Sequence, residues 1–198
     1  MAIAPNADVQ TKLDALRARA ELARLPEEYR AIGSTLQITR AELAALVGIR
    51  LSALLQGTRR RDAVLITDIR NNWAATWIVT VARAGVMDPF ANHTFQPRGA
   101  VRRVDLAQVV GRLLLKVAEA TPRQPHPWQS ARLRFADLTA SHLAYPAASA
   151  AIASGVMTAD SNGSFQPSRP VTGQEAINVV DRLAALAPDV TAQGTIGR

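Results

Sequence analysis

The chain has no cysteine, only two lysines, and no apolar run of the roughly 18 residues needed to cross a bilayer. Without cysteine there are no disulfides and no thiolate metal sites, and the redox compartment stays open. Without a long apolar run there is no membrane-spanning helix. The three histidines, His93, His126 and His142, lie far apart, and none has a metal-ligand spacing such as HExxH. No phosphate-binding glycine loop occurs. Asp160-Ser161-Asn162-Gly163 has glycine at its fourth place and no acidic residue at the twelfth, so it fails the EF-hand pattern and reads as a turn. The expectation is a protein that is not an enzyme and carries no cofactor.

What is present is arginine. The net charge is +7 and the pI about 11.1, and lysine occurs only as Lys12 and Lys116. Arginine offers a planar fork suited to carboxylate or phosphate. A basic surface suits an anionic partner: nucleic acid, an anionic glycan or acidic lipid. Genomic base bias gives the same Arg- and Ala-rich composition with no partner implied. The 48% of hydrophobic residues suffices for one or two packed domains. The N-terminus, MAIAPNADVQTKLDAL, lacks a basic region followed by an apolar one and does not read as a signal peptide. The expectation is a chain that stays in the cytoplasm or is part of a longer exported one.

The chain repeats itself. Thr67 to Leu114 returns in altered form from Ala136 to Ala184. Gly85-Val86-Met87 falls on Gly155-Val156-Met157, Phe95-Gln96-Pro97 on Phe165-Gln166-Pro167, and Val109-Val110 on Val179-Val180, all at a constant offset of 70 residues. Ile38 to Gly48 overlies Val101 to Gly111, so a third, shorter copy comes first. Such periodicity predicts a repeat architecture.

Each unit reads as two helices around a loop. In the second copy Trp73 to Ala84 is a predicted helix stopped by Gly85, Asp88 to Ala100 a loop, and Val104 to Val117 a helix with a stripe of Leu106, Val109, Val110, Leu113, Leu114 and Val117. Thr39 with Glu42, and Thr172 with Glu175, read as capping boxes. Residues 10 to 31 carry Leu13, Leu16, Ala20 and Ala23 at helical spacing, interrupted by Pro26. They predict a helix that ends an upstream module or packs on the first copy. Thr58 to Asp62 reads as a solvated basic linker, with phosphate contact by its three arginines as the alternative. The chain divides into an N-terminal helical segment (1–31), a truncated first copy (32–62), a second copy (63–120), a proline-rich linker (121–134), a degenerate third copy (135–190) and a tail (191–198). A helix pair cannot cover its own apolar faces, so the copies pack on one another. The predicted fold is all-α, with helix-loop-helix repeats forming a pseudo-threefold bundle.

These elements, in this order, resemble the S-layer homology domain. They are Thr67-Asp68, Asn72-Trp73-Ala74, Gly85-Val86, Phe95-Gln96-Pro97 and Val101 to Asp105 in the second copy. In the third they are Ala136-Asp137, His142-Leu143-Ala144, Gly155-Val156, Phe165-Gln166-Pro167 and Val171 to Glu175, and in the first Ile38-Thr39-Arg40-Ala41-Glu42. The resemblance spans about residues 32 to 187. It implies a three-repeat helical prism without catalytic activity that anchors proteins to the cell envelope, by binding an anionic wall polysaccharide or peptidoglycan-linked polymer in grooves between repeats. It also implies that the groove uses an arginine, a tryptophan and an aspartate, here Arg40, Arg103, Trp73 and Asp68. The location implied is the envelope, if the chain belongs to an exported protein.

The residues leave alternatives open. Arg40 and Arg103 each stand in the first turn of a helix, where a cation opposes the dipole by a few tenths to about 1 kcal/mol. They either clamp an anion or pair with nearby carboxylates. Trp73 either stacks on a sugar or joins the core with Trp77, and Asp68 either faces ligand or caps the turn that follows. The third copy has Gly173 in place of the arginine and Leu143 in place of the tryptophan, so it reads as structural. A basic nucleic-acid-binding protein and a helical scaffold for a protein partner are the rival readings.

Overall fold

The computed structural model describes residues 12, 13, 16, 20, 23–57 and 61–187. The predicted tail, 191–198, and Arg59 and Arg60 of the basic linker lie outside them. The described elements are helical: α1 (Glu27–Ala31), α2 (Arg40–Arg50), α3 (Ser52–Gln56), α4 (Ala75–Arg83), α5 (Arg103–Ala120), α6 (Tyr145–Ala153) and α7 (Gly173–Leu186), with 3-10 turns at Ile32–Ser34 and Pro127–Ser130. The fold is all-α. No described helix is long and apolar enough to cross a membrane.

The helices form where the apolar period and the caps agree. In α2 the Thr39 side chain accepts the Glu42 amide at 3.3 Å and Glu42 accepts the Thr39 amide at 2.7 Å, a full capping box. Leu43, Leu46 and Val47 are its buried stripe, continued by Leu51, Leu54 and Leu55 through α3. The α5 stripe is buried as predicted, with none of its six residues more than 8% exposed. In α7 Thr172 accepts the Glu175 amide at 3.2 Å, but Glu175 does not return the bond, because its carboxylate is drawn to two arginines. The predicted box there is half made.

Of the two expectations for the N-terminal stripe, packing on the first copy is not what the structure shows. Leu13 and Leu16 are 43% and 62% exposed, and Ala20 and Ala23 are also exposed. That stripe does not face the core; Tyr29 and Ile32, beyond Pro26, supply the apolar cover of the first copy instead.

The copies meet in two ways. Helices touch where a glycine makes room: a β-carbon on Gly48 of α2 would lie 2.9 Å from Trp77 of α4, and one on Gly111 of α5 would lie 3.0 Å from Ala147 of α6. Strand-like residues just before the second helices then close a ring. The Ile38 amide donates to Val171 at 2.8 Å, Val101 to Ile38 at 2.9 Å, and Val171 to Val101 at 3.0 Å. A second ring surrounds it, with the amides of Arg40, Arg103 and Gly173 donating to the carbonyls of Gly99, Arg169 and Thr35. Each second helix therefore starts against the loop of another copy, and buried backbone groups that no helix pairs are satisfied there.

Candidate ligand groove between neighbouring copies

The site is built on the loop that follows α4. Phe95 is fully buried and fixes the loop to the core. Asp68 accepts the amides of Phe95 at 2.7 Å and Gln96 at 2.8 Å. Gln96 has φ of 54°, a left-handed conformation a non-glycine residue seldom adopts, and the carboxylate holds it there. Asp68 thus caps the loop of its own copy rather than the turn that follows it. Asp137 does the same for Phe165 and Gln166, at 2.7 and 2.8 Å, with Gln166 at φ 58°.

Arg40 arrives from the preceding copy. Its Nε donates to the Phe95 carbonyl at 2.8 Å and its Nη2 to the Asp88 carbonyl at 3.0 Å. The guanidinium lies 4.5 Å from the Phe95 ring centre and 4.9 Å from that of Phe90. Hydrogen bonds from charged groups contribute about 1.5–3 kcal/mol each, which outweighs the dipole cost of an N-terminal arginine. Burial pulls the Arg40 pKa below its ordinary value, against the opposing fields of Asp105 and Asp68. Among the described residues Arg40 has no carboxylate partner, and its Nη1 makes no hydrogen bond.

Around this guanidinium opens a groove of about 550 Å³, lined by Arg40, Asp88, Phe90, Gln96, Asp105 and Arg112 among others. Asp88 accepts from Arg61 at 2.6 Å and from Arg112 at 2.9 Å. A second hollow of about 560 Å³ lies beside Asp68, and the two share Gln96 and Gly99.

The arrangement recurs between the second and third copies. Arg103 donates from Nε to the Phe165 carbonyl and from Nη2 to the Thr158 carbonyl, both at 2.8 Å, and stacks 5.1 Å from the Phe165 ring centre. Its Nη1, however, meets Glu175 at 2.5 Å, and Arg169 grips the same carboxylate at 2.8 Å. Arg103 is 5% exposed, and the groove over it is smaller, about 380 Å³. Between the third and first copies the arginine position is Gly173, and a β-carbon there would lie 1.7 Å from the Ile32 carbonyl oxygen. No side chain fits, so no third arginine clasp exists.

Residues 134–177 match the S-layer homology domain family. That segment carries the pattern of one S-layer homology repeat. The chain is 27% identical over 111 residues to the cellulosome-anchoring protein of Acetivibrio thermocellus, an alignment that takes in 54% of this chain and 22% of that protein. The chain thus spans less than a quarter of that relative's length. The matched segment carries the Phe165 loop and the first turn of α7, the part that Arg103 fastens. The second copy presents the same parts to Arg40, 70 residues earlier.

Of the four residues singled out in the sequence, the structure brings Arg40 and Asp68 to one residue, Phe95. It places Arg103 at the other junction. Trp73 lines neither cavity; it is half-buried against the core, with its ring edge-on to Trp77 at 5.9 Å. The exposed aromatic beside Arg40 is Phe90, 44% exposed, which sequence reasoning left as an ordinary loop residue. Its only signal was a departure within the repeats, since Asp160 occupies that place in the next copy. His142 Nδ1 accepts the Ala144 amide at 3.1 Å, matching Asn72 on Ala74 at 2.9 Å, so this histidine caps a helix start.

Proposed function

We propose that this chain is a non-catalytic module that anchors to the cell envelope by binding an anionic wall glycan or peptidoglycan-linked polymer, in the groove between its first and second repeats. Arg40 is the anion-binding group, with a donor left over after both loop carbonyls are served. Phe90 offers an apolar face to a sugar ring. Asp68 positions the loop, Arg103 fastens the second repeat to the third, and Trp73 packs α4 onto the core. The three copies, bounded as 32–62, 63–120 and 135–190, form an approximately threefold body around the Ile38, Val101 and Val171 ring. The observation that carries the reading is the contrast between the two junctions. The same arginine makes the same two backbone bonds in each, and only Arg40 is left without a carboxylate, beside an exposed aromatic.

The kinship with an anchoring protein supports the envelope as location, and the family match supports a wall polymer as partner. The test is sedimentation with isolated wall sacculi, with and without their attached polymers, at low and moderate salt. A groove with one binding arginine loses affinity mildly with salt, whereas binding through many phosphates falls steeply. Polymer-dependent pelleting that survives moderate salt is expected. Pelleting that salt abolishes, together with retention of nucleic acid, would favour the rival basic reading.

A further inference from the structure

The two helix contacts between copies differ in what lies on the helix glycine. At the first, Trp77 of α4 lies against Gly48 of α2, with Trp73 edge-on to it at 5.9 Å. At the second, Gly111 of α5 meets Ala147 of α6 in the same frame. Leu143 and Ala147 stand 70 residues on from Trp73 and Trp77, so both indoles are gone from this junction. Leu143 does not refill the space, since it is 91% exposed. What remains is a hollow of about 490 Å³, walled by Gly111, Leu115, Trp128, Leu143 and Ala147. Its size and its mostly apolar walls are those of a binding pocket.

We propose that this hollow is a docking site for a tryptophan side chain carried on an acidic segment of a partner protein. The first junction shows what the frame seats: an indole over the glycine of the second helix. A tryptophan entering a pocket from outside is the kind of residue that anchors a protein interface. The polar part of the lining suits a peptide. Gln108 and Gln129 line the hollow, and neither side-chain amide makes a hydrogen bond among the described residues. Each can donate to a backbone carbonyl and accept from a backbone amide. Charge sets the sign of the partner. Arg112 also lines the hollow, and Asp88 is shared between it and Arg61, so one carboxylate serves two cations. Lys116 follows Arg112 by one turn on α5 and has no carboxylate partner among the described residues. From Gln108 to Ala120 the only acidic residue is Glu119, and neither α6 nor the Pro127–Ser130 turn carries any charge. A basic surround of this kind steers an acidic segment toward the pocket. Leu115, 55% exposed, and Leu143 add apolar surface for the residues beside the tryptophan.

The test follows the methyl resonances of Leu115, Leu143 and Ala147 by NMR during titration with three acetylated, amidated tripeptides: Glu-Trp-Glu, Glu-Ala-Glu and Lys-Trp-Lys. Glu-Trp-Glu is expected to shift all three methyls saturably, as an indole ring placed among them must. Glu-Ala-Glu is expected to leave them unmoved, and Lys-Trp-Lys to bind more weakly. Ala147→Trp puts the protein's own indole back, as at the first junction. It is expected to abolish binding while the unfolding midpoint holds or rises. Leu143→Asp changes a side chain that is already in solvent, so the fold is kept, and affinity is expected to fall at least about tenfold. Leu143→Asp decides the matter by itself if Ala147→Trp does not fold. No saturable shift in the wild type, equal shifts with Glu-Ala-Glu, or unchanged binding in a folded variant would each overturn the proposal. Lys-Trp-Lys binding as tightly as Glu-Trp-Glu would overturn the acidic partner. Sedimentation velocity of the protein alone tests the other occupant. A dimer that Ala147→Trp dissolves would give the hollow to a second copy of the chain, and a monomer supports the partner segment.

Discussion

Arg40 and Asp68 hold opposite ends of one residue: Arg40 donates to the carbonyl of Phe95 at 2.8 Å, and Asp68 accepts its amide at 2.7 Å. One comes from the first copy and the other from the second, so the buried Phe95 is where two copies are fastened. Arg103 and Asp137 do the same to Phe165. The charged residues of the motif are thus first of all loop fasteners. On the proposed reading, binding at a junction depends on what remains of the arginine afterwards.

Removing the aspartate should therefore loosen the loop rather than the ligand contact directly. Asp68→Ala leaves two amides without an acceptor and Gln96 unsupported at positive φ. A loss of about 1–3 kcal/mol is expected from the unmet hydrogen bonds, read as a lower urea midpoint. Asp137→Ala should cost a similar amount, because its contacts are the same. Adding Gln96→Gly to Asp68→Ala should restore part of the loss, since glycine adopts that φ without strain.

The two arginines should separate in stability. Arg103→Ala strands two carbonyls and leaves Glu175 held by Arg169 alone, so three charge-assisted bonds, each contributing about 1.5–3 kcal/mol, are lost. Arg40→Ala forfeits two backbone bonds but leaves no carboxylate behind, so about 1–3 kcal/mol is expected. Chemical unfolding of the two single variants measures this directly. It also follows that a double Arg40/Arg103 variant is a poor probe of binding, since half of it attacks the fold.

Gly173 should tolerate no side chain. A β-carbon there meets the Ile32 carbonyl oxygen at 1.7 Å, so even Gly173→Ala must push the third copy from the first. Overpacking of this kind typically costs about 1–3 kcal/mol, occasionally more. The urea midpoint of Gly173→Ala should fall, and a midpoint equal to wild type would mean the backbones are not so close.

Much of this was legible beforehand because it is periodic. The offset of 70 residues and the stripe of α5 gave the helices and their burial. Thr39 with Glu42 gave a helix start correct to the residue. What periodicity does not carry is which partner a charged side chain chooses. Glu175 read as a cap because the sequence shows its neighbour Thr172 and hides Arg103, 72 residues away. Trp73 stood out as a large aromatic, whereas Phe90 acquires its place beside Arg40 only through the fold of the loop. Gly173 read as a missing arginine, and the close passage of Ile32 that excludes one is a contact between chain ends. Leu13 and Leu16 had the right spacing, and nothing among the described residues covers them.

The most direct test of the account is sacculus sedimentation of Arg40→Ala beside wild type, on walls that retain their attached polymers, at moderate salt and at a temperature where both proteins are folded by circular dichroism. The account expects wild type to pellet and Arg40→Ala to remain in the supernatant, with at least about a tenfold loss of apparent affinity. A folded Arg40→Ala that pellets as wild type does would contradict it, and would leave Arg40 as a fastener between repeats and nothing more.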